Sequence, residues 1–211
     1  MKVLPLLVTS GVVATALFFL SRHFFKANEL AGGDPGSKGA AGEVVTTYRK
    51  VPVRSNGEDY KVSHGKHYAK GGYYYGQKWQ CVEFVKRFYH DALNHRMPDV
   101  WGHAKDFFDV EVAHGDLNPA RGMLQFNNGG TTAPQADDLL VFDFAPYGHV
   151  AVISAVREDE IEVVQQNVRG RPRETYPLAK SDGRYTIEAN REPIGWLRVP
   201  AVRTPADTPG S

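Results

Sequence analysis

Cysteine is nearly absent from this sequence. Of 211 residues only Cys81 carries a thiol, so no disulfide can form within the chain, whatever compartment it occupies. An excess of either charge is also missing: 25 basic and 24 acidic residues leave a formal charge of +1. No Lys/Arg cluster forms the basic stripe that a phosphate-binding surface needs, and nucleic acid is excluded as an expected partner. Metal-ligand spacing is absent too. His64 and His67 are a candidate pair, but no Cys or acidic cluster at ligand spacing joins them, so neither a metal nor another cofactor is expected. No internal repeat is evident.

Long hydrophobic runs are missing except at the N-terminus, where residues 3–20 carry no charge. Eighteen such residues approach the length of a membrane-spanning helix. A cleaved secretory signal is the competing reading, since Lys2 supplies a short basic start. Arg22, His23, Phe24, Phe25 and Lys26 follow the run, with neither a small-x-small cleavage site nor a cysteine for lipid attachment. The sequence therefore predicts a single-pass anchor over residues 1–26. Basic residues on both sides of the run leave its orientation open. A Gly/Ala-rich spacer over 27–43, a domain over 44–199 and a disordered tail over 200–211 complete the organisation.

Within the domain the sequence predicts an α+β fold, helical and loop-rich in the first half and strand-rich in the second. From Cys81 the segment CVEFVKRFYHDALNH places Val82, Val85, Tyr89 and Ala92 at helical spacing with polar residues between them. A second helix is expected around residues 103–110. The runs LLVFDF from Leu139, HVAVISAV from His149, IEVVQQNV from Ile161 and IGWLRV from Ile194 read as strands. Their short connections predict an antiparallel meander.

Cys81 falls at the start of the predicted helix. Open N–H groups and the helix dipole favour a thiolate there, which can lower a free thiol's pKa from about 8.5. Gln80 precedes it and offers a side-chain amide, beside a backbone N–H, to an oxyanion. The bland alternative is a small buried hydrophobe, since free cysteine is among the most buried residue types. Of eight histidines, His149 stands out as a base because it opens a strand after the loop of Ala145, Pro146, Tyr147 and Gly148. The others read as surface groups. The strand after His149 ends in Gln165, Gln166 and Asn167, and alternation puts Gln165 and Asn167 on one face. Either can orient the imidazole, or both can simply satisfy backbone groups at a strand end. Trp79, with Tyr73, Tyr74 and Tyr75, is a candidate for lining a groove. Asp137, Asp138 and Asp143, just before His149, are candidates for receiving a cationic leaving group, should the substrate have one.

The segments WQCVEFVKRF, ADDLLVFDF followed by GHVAVI, QQNV and IGWLRV lie in one order over residues 70–199. In that order they resemble the CHAP family of cysteine, histidine-dependent amidohydrolases and peptidases, and within it the glutathionylspermidine amidases. The resemblance implies a papain-like α+β fold with the nucleophile-bearing helix packed on an antiparallel sheet. It implies Cys81 as nucleophile, His149 as base and Gln80 in the oxyanion hole. At the third position the glutathionylspermidine amidases carry Glu where this chain carries Gln165. An amide oxygen still accepts from the imidazole N–H but cannot stabilise an imidazolium by charge. The implied substrate is a peptide–polyamine amide of the glutathionylspermidine type. A peptidoglycan peptide is the alternative if the anchored domain faces outward, as an extracytoplasmic membrane protein. A non-catalytic binding module on the same fold is the third reading.

Overall fold

The computed structural model describes residues 39–168 and 170–201. The expected anchor over 1–26, most of the spacer and the tail beyond 201 lie outside the described residues. Among the described residues no helix is long and apolar enough to cross a membrane.

Helix α1 (Cys81–Leu93) forms where the amphipathic pattern predicts it. Phe84, Val85, Phe88 and Tyr89 recur at helical spacing and are completely buried. Gln80 precedes the helix in extended conformation, with ψ 160 and no side-chain cap. The first-turn N–H groups are therefore left open. At the other end Asn94 turns left-handed, with φ 51, and returns its N–H to the Tyr89 carbonyl.

Two hairpins flank the helix, β1 (Val44–Tyr48) with β2 (Val51–Arg54) and β3 (Lys66–Tyr68) with β4 (Tyr74–Gln77). Gly76, at φ 143, lets β4 approach the helix start. A Cβ there would lie 3.1 Å from both the Glu83 nitrogen and its Cα.

The remaining strands are β5 (Leu117–Asn118), β6 (Met123–Asn127), β7 (Leu139–Phe142), β8 (His149–Val156), β9 (Glu160–Val164), β10 (Arg173–Ser181), β11 (Arg184–Ile187) and β12 (Gly195–Arg198). They form one eight-stranded sheet in the order β11-β10-β9-β8-β7-β12-β6-β5. Every pairing is antiparallel. The expected meander runs from β7 to β11. The last strand departs from it, inserting between β6 and β7. Trp196 and Leu197 are completely buried there, one on each face of the sheet.

Strand alternation divides the interior into two cores. Val141, Val150, Val152, Val164 and Leu197 face α1. Leu140, Ala151, Ile153, Val163 and Trp196 pack on the opposite face with Leu178 and Ile187. The sheet curls far enough that Tyr185 of β11 bridges back to Gly130, beyond β6. The fold is thus α+β, with one α-helix among the described residues packed on an antiparallel sheet.

The helix expected around 103–110 is only a 3-10 turn over Lys105–Phe107. The Asp106 carboxylate accepts the His103 N–H, and that of Asp109 accepts the Glu111 N–H. Such local side-chain bonds offer the backbone an alternative to continued helix.

Candidate active site

The start of α1, the start of β8 and the turn after β9 converge on one cleft of about 1350 Å³. Cys81, His149, Gln80, Gln165 and Asn167 all line it. Trp79 and Asp143 do not. The Trp79 ring sits under Arg54, 5.0 Å from its guanidinium, and its backbone N–H is held by Asn56. Asp143 is exposed between Phe142 and Phe144, which do line the cleft. Of the three neighbouring tyrosines only Tyr74 reaches the cleft, its ring tilted against that of Trp101. Asp137 and Asp138 are occupied elsewhere, by Arg49 and Arg198, with both contacts at 2.6 Å. They are struck from the candidates for a cationic leaving group.

His149 is positioned by its own strand. Gly148, at φ 70, packs so closely that a Cβ would meet the Phe142 carbonyl at 2.5 Å and Lys105 at 2.8 Å. Only glycine turns the chain into β8 there. The imidazole Nε2 lies 3.0 Å from Gln165 Oε1. The direction of that bond is fixed by what lies behind it. Gln165 Nε2 donates to the Arg171 carbonyl and to Glu174 Oε2, each at 3.0 Å. Both partners only accept, so the amide oxygen faces the histidine and Nε2 of the ring carries the proton. Nδ1 is left with its lone pair. The Cys81 thiol meanwhile packs against the backbone N–H groups of Val82, Cys81 itself and Val150, the residue that follows the histidine.

Electrostatics at rest favour a neutral pair. Burial pushes the Cys81 thiol above its ordinary value, and the three backbone N–H groups only partly offset it. Burial likewise lowers His149 to about 4, against the Gln165 hydrogen bond and the Glu174 charge. The helix start does favour a thiolate as expected, but desolvation outweighs it, although both side chains keep an edge open to the cleft.

Gln80 lies differently from its expected role. Its side-chain amide gives both hydrogens to the Tyr60 and Val62 carbonyls, at 3.1 and 3.0 Å. Its oxygen accepts from Asn167 Nδ2. Acting on an oxyanion would require breaking one of these bonds. The backbone N–H groups of Cys81 and Val82, already against the thiol, are the donors nearest to a carbonyl that the sulfur would attack.

Gln165, Gln166 and Asn167 fall just past the end of β9 rather than within it. Gln165 and Asn167 do share the cleft side. Gln166 turns to the helix, donating to the Gln80 carbonyl at 3.0 Å and to Glu83 Oε2 at 2.7 Å. His67 is no simple surface group, since its Nδ1 donates to Glu83 Oε1 at 2.7 Å. Glu174 was not legible as a site residue. The signal available was a carboxylate in register with Tyr176 and Leu178 on the inward side of β10. Among the described residues no group of three metal-ligating side chains assembles.

The CHAP domain family model matches residues 72–167, which contain the helix, the nucleophile candidate, His149 and the turn to Asn167. That part of the chain is similar to a CHAP domain. It is 36% identical over 103 residues to the bifunctional glutathionylspermidine synthetase/amidase of Escherichia coli K12, a match covering 45% of this chain and 16% of that protein. It is 27% identical over 164 residues to trypanothione synthetase of Crithidia fasciculata, covering 71% of this chain and 25% of the relative. Glutathionylspermidine synthase of the same organism is 29% identical over 144 residues, covering 60% and 19%. The chain thus spans no more than a quarter of the length of these curated relatives.

Proposed function

We propose that this chain is a cysteine amidase that cleaves a peptide-like amide of the glutathionylspermidine type. The observation that carries the reading is the orientation of His149, whose Nε2–H is committed to Gln165 while Nδ1 faces the remaining acceptor task. In this reading Nδ1 takes the Cys81 proton as sulfur attacks the amide carbon, and the oxyanion forms against the Cys81 and Val82 N–H groups. Nδ1–H then protonates the departing amine nitrogen, leaving a thioester on Cys81. Water attacks that thioester, gives its proton to Nδ1, and the acid leaves as the thiol is re-formed. The reading takes the arrangement of α1 against the sheet as papain-like.

The relatives' names support the substrate class, and the cleft's charges agree with it. Lys61 and Arg191 line it together with Glu188, so both the carboxylates of a glutathionyl group and the ammoniums of a polyamine meet opposite charge. We also read residues 1–26 as a membrane anchor with the domain held outside the cytoplasm, which fractionation of the full chain would test.

The functional experiment is incubation of the full chain with glutathionylspermidine and, separately, with peptidoglycan fragments, followed by mass spectrometry. Release of glutathione and spermidine, abolished in Cys81→Ala and His149→Ala, is expected. Cleavage of peptidoglycan alone would replace the substrate, and turnover undiminished in Cys81→Ala would remove the mechanism.

A further inference from the structure

A neutral side chain in contact with the base leaves two needs unmet. Something must hold the amide the right way round, and something must favour the imidazolium that forms in the reaction. Gln165 is 1% exposed, and its backbone N–H is tied to the Pro172 carbonyl at 3.0 Å, so its side chain has one direction in which to extend. Behind it stands Glu174 on β10, in a strand register that pairs Glu174 with Val163, two residues before Gln165. Both Glu174 oxygens are committed. Oε2 accepts from Gln165 Nε2 at 3.0 Å, and Oε1 accepts from Arg171 Nη1 at 2.9 Å. The Tyr176 hydroxyl faces the same carboxylate, which helps burial raise its pKa.

We propose that Glu174 is a positioning residue of the catalytic site, acting on His149 through the Gln165 amide as a relay of histidine, amide and carboxylate. Two effects follow from the geometry. A flipped Gln165 would set its oxygen against the Arg171 carbonyl and the Glu174 carboxylate, so Glu174 enforces the Nε2–H tautomer of His149. Its charge also polarises the amide, strengthening the acceptor that the ring N–H meets. No proton leaves His149 Nε2 in this scheme, and none is passed to Glu174. The carboxylate that would support an imidazolium directly is displaced outward by one hydrogen bond.

The arrangement also explains why a carboxylate cannot simply be placed at position 165. Gln165→Glu would set two carboxylates within 3.0 Å, at the present Gln165 to Glu174 contact, and a third acceptor against them at Arg171. The paired exchange Gln165→Glu/Glu174→Gln avoids the first clash and keeps the relay's single carboxylate, moved inward to touch His149.

This inference rests on the proposed amidase reading, and its test separates the two. Full-length protein labelled with 15N-histidine is compared with Glu174→Gln and Glu174→Ala at pH 7, with the His149 signals assigned by their loss in His149→Ala. The wild type is expected to show His149 as the Nε2–H tautomer. Glu174→Gln keeps the tautomer but moves the ring N–H proton upfield, and Glu174→Ala mixes the tautomers. In turnover, Glu174→Gln is expected to lower kcat about tenfold with KM little changed, the scale of exchanging a charge-assisted for a neutral hydrogen bond. Gln165→Glu alone is expected to be worse than the paired exchange. A wild type without amidase activity would remove the functional reading while the spectra still decide the relay. Spectra and kcat unaltered in both Glu174 variants, or a change confined to KM, would overturn the relay.

Discussion

Glu83 is the residue whose removal tests how the site is held. It is completely buried in the first turn of α1. Arg87 donates to it from Nε at 2.6 Å and Nη2 at 3.3 Å, His67 from Nδ1 and Gln166 from Nε2, each at 2.7 Å. Glu83→Gln keeps the shape and one oxygen but puts an NH2 among these donors and leaves the Arg87 charge without its carboxylate. Breaking a buried pair in this way costs about 3–5 kcal/mol. With about 2.1 cal/mol/K of unfolding entropy per residue over roughly 160 ordered residues, the melting temperature should fall roughly 9–15 °C. The pH dependence has a definite sign. Burial raises the Glu83 pKa, but the hydrogen bonds from His67, Arg87 and Gln166 more than offset it and hold the group below its ordinary value of 4.5. Its stabilisation is therefore full above pH 4.5 and is lost as pH falls through the lower folded value. Denaturant unfolding of both proteins should show the gap at pH 7 closing under acid conditions. A double-mutant cycle with Arg87→Met should return a coupling of about 2 kcal/mol. A loss below about 1 kcal/mol at pH 7, or a gap indifferent to acid, would refute the reasoning.

Three further outcomes follow from the charged and titratable groups. The burial-raised Cys81 thiol should react with iodoacetamide at pH 6.5 more slowly than a free thiol, itself only about 1% ionised there; faster alkylation would mean a resting thiolate–imidazolium pair. With His149 lowered to about 4, kcat/KM should hold its acid limb near that pH rather than near 6.5, provided circular dichroism shows the fold intact. Lys86 is completely buried, donates to the Val100 carbonyl, and is lowered to about 8 by burial first and by Arg121 second. The unfolded chain then binds more protons between about pH 8 and 10.5, so wild-type stability relative to Lys86→Met should rise through that window, and a flat difference would count against it.

What was legible in the sequence follows physical periodicity. Helix α1 and strands β7, β8, β9 and β12 are apolar at regular spacing because both faces of the central sheet are buried. Strand β10 escaped notice because Arg173, Thr175 and Lys180 leave it half open, and Pro177 interrupts it. The two hairpins that precede α1 are short, and strands β1 and β3 stay largely exposed. Local motifs gave Cys81, Gln80, His149 and Gln165 a common cleft. Glu174 was invisible for a different reason, since its contact with Gln165 depends on the β9–β10 register and no pattern along the chain records it.

The turn after β9 shows why these particular residues must end the strand. Had pairing with β10 continued in regular alternation, Gln166 would point to one side and Gln165 with Asn167 to the other. Leaving the strand frees each of the three to reach a different element. Gln165 meets His149 on β8, Gln166 meets Glu83 and the Gln80 carbonyl at the helix start, and Asn167 meets the Tyr60 carbonyl and the Gln80 side chain. Asn167 sits at φ 63, a conformation that asparagine adopts more readily than most residues. His149, helix α1 and the cleft wall are thereby referenced to one short turn. A substitution at Gln166, which does not line the cleft, should disturb the helix start and Arg54, whose backbone N–H it accepts at 2.8 Å, before it disturbs His149. Gln166→Leu is accordingly expected to lower stability through the donors and acceptors it strands, about 1–3 kcal/mol for each left unsatisfied. The Nε2–H tautomer of His149 should survive in it, and histidine NMR showing that tautomer lost would mean the three contacts are not separable.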